Sequence, residues 1–234
     1  MRSFSCRVCG NALYFENSVC VSCGTALGFS RPESDIVPLQ PDGTYVDAEG
    51  LVWHVCVNTP LSGCTWVTEL PGSPCFSCRL TRTRPSDDDL EGLSQYPVAE
   101  RAKRHLIVEL DVLGLPITTR DEAPETGLAF DLLSSVDENV VIGHENGVIT
   151  IDLAEADDAQ REKVRVQLDE PYRTMLGHMR HEIGHYYESV LAVGDDLDRV
   201  RALFGDDTKD YQAEIDRHYS EGPPEGWEND YIST

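Results

Sequence analysis

The sequence predicts an α+β protein in two parts: a cysteine-clamped region of short β-strands, then a mixed α+β domain built on one amphipathic helix. Three observations carry that prediction. All eight cysteines lie ahead of residue 80 and fall into two quartets. Beyond them, apolar residues recur first at helical spacing, then in strand-like runs, then at helical spacing again. Within the last of these stretches stands His181-Glu182-Ile183-Gly184-His185.

The first quartet is Cys6-x-x-Cys9 and Cys20-x-x-Cys23, with Gly10 and Gly24 directly after the second cysteine of each pair. Each pair turns the backbone so that two thiolates converge, and glycine permits the turn. Two such knuckles make a tetrahedral four-sulfur site, the pattern of a zinc ribbon; two disulfides are the plainer alternative, disfavoured in a reducing compartment. The second quartet is Cys56, Cys64, Cys75 and Cys78, of which only the last pair has knuckle spacing. Trp53, Val55, Val57, Trp66 and Val67 read as short strands around it. His54 is a substitute ligand or a strand residue facing solvent. Four sulfurs leave no open coordination position, so both zinc sites are expected to be structural.

Residues 28–50, rich in Pro, Gly and Asp, read as a connection between the two clamps, and Arg84–Asp89 as a second linker. Val98, Ala102, Leu106, Leu110 and Leu113 then mark a helix from Tyr96, stopped by Gly114 and Pro116. Leu128–Leu133 and Val140–Ile142 are predicted strands, and Asn146-Gly147 signals a hairpin whose return strand is Val148–Leu153. A charged helical stretch from Asp157 to Leu168 follows. The expected domains are 1–30 for the first zinc ribbon, 31–86 for the second zinc-binding β region with its four cysteines, and 87–234 for the remainder.

The chain carries 19 Lys and Arg against 42 Asp and Glu, a formal net charge of −23. Up to Arg104 the two signs are nearly balanced, 9 against 12; beyond it they stand 10 against 30. That surface repels a phosphate backbone and an anionic bilayer, so neither nucleic acid nor membrane is an expected partner. The Arg79, Arg82, Arg84 and Arg101, Lys103, Arg104 clusters read either as a local basic patch or as solvated loop and helix-surface charges. The N-terminus has no apolar run, and no stretch approaches the roughly 20 apolar residues that span a bilayer, so a soluble cytoplasmic protein is expected.

The helix predicted over Pro171–Val193 decides the function. Tyr172, Met175, Leu176, Met179, Ile183, Tyr186 and Val190 form its apolar stripe, and His181 and His185 lie nearly opposite. Histidines four apart share a face and can reach one ion, with Glu182 beside them to take a proton from water at the metal. His178 shares that face but stands seven residues, roughly 10 Å, from His185, which leaves it a substrate contact, a supporting residue or a plain surface histidine. A metzincin-type third ligand is excluded, because the positions it needs hold Glu188 and Leu191. Glu214 and His218, with the acidic loop from Asp195, are the remaining candidates.

These residues resemble the bacterial family of zinc-binding metallopeptidases with an N-terminal zinc-ribbon domain, whose catalytic part is zincin-like. The matching stretches are Cys6–Gly10 with Cys20–Gly28, Cys75–Arg79, Gly127–Asp131 and Gly177–Tyr187. The resemblance implies zinc-dependent hydrolysis of a peptide or protein substrate, a catalytic zinc besides the two structural ones, and pairing of an extended substrate with the strand Val148–Leu153. It also implies a further helix after the Gly222–Trp227 stretch, carrying the third ligand. The chain is therefore expected to be a truncated unit with an incomplete catalytic site. A protein-binding adaptor working through the ribbons, with a non-catalytic zincin-like domain, is the rival expectation.

Overall fold

The computed structural model of the chain describes residues 3–135, 140–167, 173–205, 207–222 and 225–226. They form two compact units, Met1–Tyr186 and Tyr187–Thr234. The class is the predicted one, a cysteine-rich β region followed by mixed α and β structure.

In the first unit, β1 (Phe4–Ser5) and β2 (Ala12–Leu13) pair antiparallel across the first knuckle. Residues 28–50 are more than the connection that composition suggests. β3 (Leu27–Ser30) pairs with β4 (Asp35–Pro38), and β5 (Thr44–Val46) pairs with β6 (Val52–Val55), which also takes β7 (Val67–Thr68). The Pro, Gly and Asp residues fall largely in the turns, while Phe29, Ile36 and Val37 are buried between them. Two helical turns, α1 (Thr59–Ser62) and α2 (Phe76–Arg79), adjoin the later cysteines.

One aromatic chain runs through this region. Phe29 meets Phe15 edge-on at 5.0 Å and Trp66 at 4.9 Å, and Phe15 in turn meets His105 at 4.6 Å. Such contacts add about 0.5–1.5 kcal/mol each beyond the area they bury.

The crossover β8 (Thr81–Thr83), α3 (Leu90–Leu113), β9 (Ala129–Leu133) then places two parallel strands in one sheet. α3 starts earlier than its apolar spacing predicts, because Asp89 caps it: the Asp89 side chain accepts from the Gly92 amide at 2.8 Å. Part of the predicted linker is thus a helix cap. Gly114, at φ 68°, ends the helix in the left-handed conformation, as predicted. The buried face is rotated from the predicted stripe: Tyr96, Ala99, Ala102, Leu106, Ile107 and Leu110 are inside, whereas Val98 and Leu113 are exposed.

The same face buries Glu100, Lys103 and Arg104, which corrects the reading of these cations as solvated charges. Each is paired, Lys103 with Glu100 at 2.6 Å and Arg104 with Glu16. Arg101 also reaches Glu16, at 3.0 Å; Arg82 pairs with Asp131, and Arg84 with Asp87. Partnered in this way, they do not form an open basic patch.

β10 (Gly143–Glu145) and β11 (Val148–Asp152) complete the sheet, in the order β10-β11-β9-β8. Asn146 and Gly147 turn with φ 49° and 81°, the expected hairpin. The two-residue turn sets Glu145 opposite Val148, so the incoming strand is Gly143–Glu145 rather than Val140–Ile142. β11 has a neighbour on each side, antiparallel β10 and parallel β9. It therefore offers no free edge to a substrate; the edge on that side is β10.

A 3-10 turn, Leu153–Ala156, packs on α3 and leads to α4 (Asp158–Gln167). α5 (Met175–Leu191) follows. It buries Met175, Met179, Ile183 and Tyr186, as its stripe predicts, and leaves Val190 exposed. Leu168, Pro171, Tyr172 and Trp227 lie outside the described residues. In the second unit, the expected acidic loop is instead the first turn of α6 (Asp195–Phe204), where Asp195, Asp196 and Asp198 favour the positive helix end. α7 (Tyr211–Glu221) carries Glu214 and His218. Among the described residues, no helix is long and apolar enough to cross a membrane.

Candidate metal centres

Local hydrogen bonds build the first quartet. The Cys6 amide donates to Asn11 and the Gly10 amide to Cys6; in the second knuckle the Cys20 amide donates to Thr25 and the Gly24 amide to Cys20, all at 2.8–2.9 Å. Gly10 and Gly24 share φ 75°, a conformation that a side chain disfavours. Sulfur separations are 3.8 Å for Cys6 and Cys23 and 3.6 Å for Cys9 and Cys20. Thiolates about 2.3 Å from a tetrahedral zinc stand about 3.8 Å apart, so the four fit the ion without rearrangement. Cys9 and Cys23 are exposed, and all eight cysteines of the chain are free of disulfides. The Thr25 hydroxyl and amide bring the Cys23 thiol down to about 6, which favours the thiolate that a metal needs.

The second quartet is gathered from the residues that follow β6 and α1 (Cys56, Cys64) and from the cap and body of α2 (Cys75, Cys78), and every one of its cysteines is buried. Its ligand atoms all lie within 4.8 Å of one another, with Cys64 and Cys75 3.6 Å apart. Cys56 accepts from the amides of Asn58 at 3.4 Å and Cys75 at 3.2 Å. The thiols of Cys64, Cys75 and Cys78 hold the Cys56 thiol well below its ordinary range. His54 stays in the ladder between β5 and β7 and is no member of the cluster.

His181 and His185 lie on the exposed side of α5, with their Nε2 atoms 3.2 Å apart. Two nitrogens about 2.0–2.1 Å from one tetrahedral zinc stand about 3.3 Å apart, so this pair also fits. Glu182, between them in sequence, is 8% exposed. Among the described residues of the first unit, no third His, Cys or carboxylate completes a cluster of 4.8 Å span with the pair. Glu214 and His218 sit one turn apart on α7, where Glu214 pairs with Arg217.

Two residues around α5, one beside His178 and one beside the histidine pair, escape a reading of the sequence. Glu155, buried on the 3-10 turn, is held by Arg173 at 2.8 Å and lies 3.7 Å from His178 Nδ1. His144, on β10, accepts from the Gly147 amide through Nε2 at 3.1 Å and stacks edge-on to Tyr186 at 5.9 Å. Burial, together with the field of His185, holds His144 below the ordinary histidine range against the pull of Glu182. An isolated Glu or His in a loop-like stretch carries no periodic or motif signal, so neither is legible beforehand.

Comparison with known proteins agrees with the geometry. A family described as "Putative zinc-binding metallo-peptidase" matches residues 92–234, and a zinc-ribbon domain matches residues 3–89. Uncharacterized proteins of Mycobacterium bovis and of the CDC 1551 and H37Rv strains of Mycobacterium tuberculosis are 50% identical over 238 residues, which covers 100% of this chain and 67% of each relative. No solved structure matches. With that family covering most of the chain and a zinc ribbon the rest, the protein belongs to the zinc-binding metallo-peptidase family with an N-terminal zinc-ribbon domain.

Proposed function

We propose that the chain carries the metal-binding helix of a zinc-dependent peptidase, in which His181 and His185 hold the metal and Glu182 is the general base. A third ligand, from outside the described residues of the first unit, is needed to complete the site. The observation that carries this reading is the 3.2 Å separation of the two Nε2 atoms on the open face of α5, with Glu182 adjacent. Zinc held there would lower the pKa of a water and polarise a scissile carbonyl. Glu182 takes the proton of the attacking water and passes it to the leaving amine. His178, close to Glu155, contacts substrate on the same face. The Cys6, Cys9, Cys20, Cys23 and Cys56, Cys64, Cys75, Cys78 quartets hold structural zinc in domains 1–30 and 31–86, and the zincin-like domain spans 87–234.

The test is hydrolysis of a peptide library by the zinc-loaded chain and by Glu182→Gln. General acid–base catalysis contributes about 10²–10⁴ in rate, so a loss of at least that order is expected, with zinc content unchanged. Hydrolysis that survives Glu182→Gln would refute the mechanism.

One observation favours a second reading, a protein-binding module. Phe4, Tyr14, Phe15, Val112 and Leu113 line an apolar groove of about 680 Å³ beside the first ribbon, and Tyr14 is 76% exposed. A module of this kind would keep its activity in Glu182→Gln and lose it when a cysteine quartet is replaced.

A further inference from the structure

A divalent ion held by four thiolates is a dianion. At the first quartet Cys9 and Cys23 are exposed, so water and salt solvate that charge. At the second all four cysteines are buried, and the compensation has to come from the protein. The backbone supplies part of it, at Cys56, through the amides of Asn58 and Cys75. Among the described residues, no backbone amide donates to Cys64 or Cys78.

α3 stands on that side. Both α1, just before Cys64, and α2, which contains Cys78, pack against it. Its consecutive residues Lys103 and Arg104 are 0% and 1% exposed. Lys and Arg are almost never so deep unless their charge is answered. Lys103 Nζ donates to Glu100 Oε1 at 2.6 Å, and Glu100 Oε2 lies 3.8 Å from Cys78 Sγ. Arg104 gives its Nε to Glu16, whereas its Nη1 is buried with no hydrogen-bond partner among the described residues. A buried donor without an acceptor costs about 1–3 kcal/mol, more when charged, so this arm is stabilised only by a nearby negative charge. Once a metal makes the quartet thiolate, Cys64 lies within electrostatic reach of Arg104, and Cys78 within that of Lys103.

We infer that Lys103 and Arg104 are the counter-charge of the second metal centre: Arg104, with one arm held by Glu16 and the other unclaimed, lends its positive field to the Cys64 thiolate, and Lys103 offsets the Glu100 carboxylate beside the Cys78 thiolate. Both are positioning residues rather than ligands. They stabilise the loaded state of a site that water does not reach, so the second quartet gives up its metal more slowly than the first. The inference rests on the cysteine quartets alone and not on peptidase activity.

The experiment uses the full chain carrying His181→Ala, so that the quartets alone hold zinc, challenged with a chelating dye. Two phases of release are expected, the slow one from the second quartet. Arg104→Met should speed the slow phase about tenfold or more, the usual scale for partners behind a metal ligand, and leave the fast phase alone. Arg101→Met, which removes an exposed partner of the same Glu16, should change neither. Should Arg104→Met fail to fold, Arg104→Lys decides, because it keeps the charge beside Glu16 and loses the second arm; intermediate release is expected. With cobalt in place of zinc, the sulfur-to-metal charge-transfer band should shift in Arg104→Met or Arg104→Lys, which a purely structural arginine would not cause. Release in a single phase from the parent chain, or an unchanged slow phase and band in the Arg104 variants, would overturn the inference.

Discussion

The first quartet takes its shape from hydrogen bonds that each close within a few residues, Cys6 to Asn11 and Cys20 to Thr25, and leaves Cys9 and Cys23 in solvent. The second draws Cys56, Cys64, Cys75 and Cys78 from separate elements, buries all of them and leans on α3. The same ligand chemistry therefore does two different jobs. The first closes a local loop. The second joins the cysteine-rich region to the crossover β8–α3–β9, and so to the sheet beside α5.

The largest test of that difference is removal of one sulfur from each site. Structural zinc in small peptides is worth about 10–16 kcal/mol, which equals or exceeds the 5–15 kcal/mol that stabilises an ordinary domain. Cys75→Ser should abolish the cooperative thermal transition of the first unit. Cys9→Ser should cost the chain one zinc but retain the transition at a lower midpoint. Far-UV circular dichroism with metal analysis separates the two outcomes. If the variants melt alike, the sites are equivalent and the contrast fails.

Phe29→Ala sharpens the contrast at a smaller scale. Phe29 is 3% exposed and its side chain touches Phe4, Phe15 and Trp66, so it joins the two clamps through apolar contact as well as through its amide, which donates to the Thr65 carbonyl at 2.8 Å. Truncating a buried phenylalanine costs about 3–5 kcal/mol. The urea midpoint should fall accordingly while both zinc ions stay bound in the folded chain. Loss of the first-site zinc from the folded variant would show that this quartet depends on packing and is less local than its hydrogen bonds suggest.

What the sequence makes legible follows the same division. Knuckles with trailing glycines, the Asn146-Gly147 turn and the central part of the apolar stripe of α5, Met175 to Tyr186, are local patterns that read correctly. Non-local compensation does not. Lys103 and Arg104 look like surface charges until Glu100 and Glu16 are seen beside them, because burial of an ion is decided by its partner's position. The rotated face of α3 has the same origin: with Glu100, Lys103 and Arg104 inside, an apolar count places its stripe wrongly. At the candidate catalytic site the pair on one helix is visible from spacing, whereas Glu155 and His144 reach it from the 3-10 turn and from β10, where no periodicity marks them.

Asp89→Ala is the mildest test and separates depth from design. The Asp89 carboxylate satisfies the Gly92 amide at the start of α3, and loss of such a cap costs about 1 kcal/mol. Asp89 is not among the groups placed around either quartet. The variant should therefore lower the melting temperature slightly, as differential scanning calorimetry would read it, and leave zinc release from both sites at the parent rate. Arg104→Met, by contrast, acts at the second site itself. If Asp89→Ala sped the slow phase as much as Arg104→Met did, metal retention would simply track the stability of α3, and the two quartets would differ in depth alone.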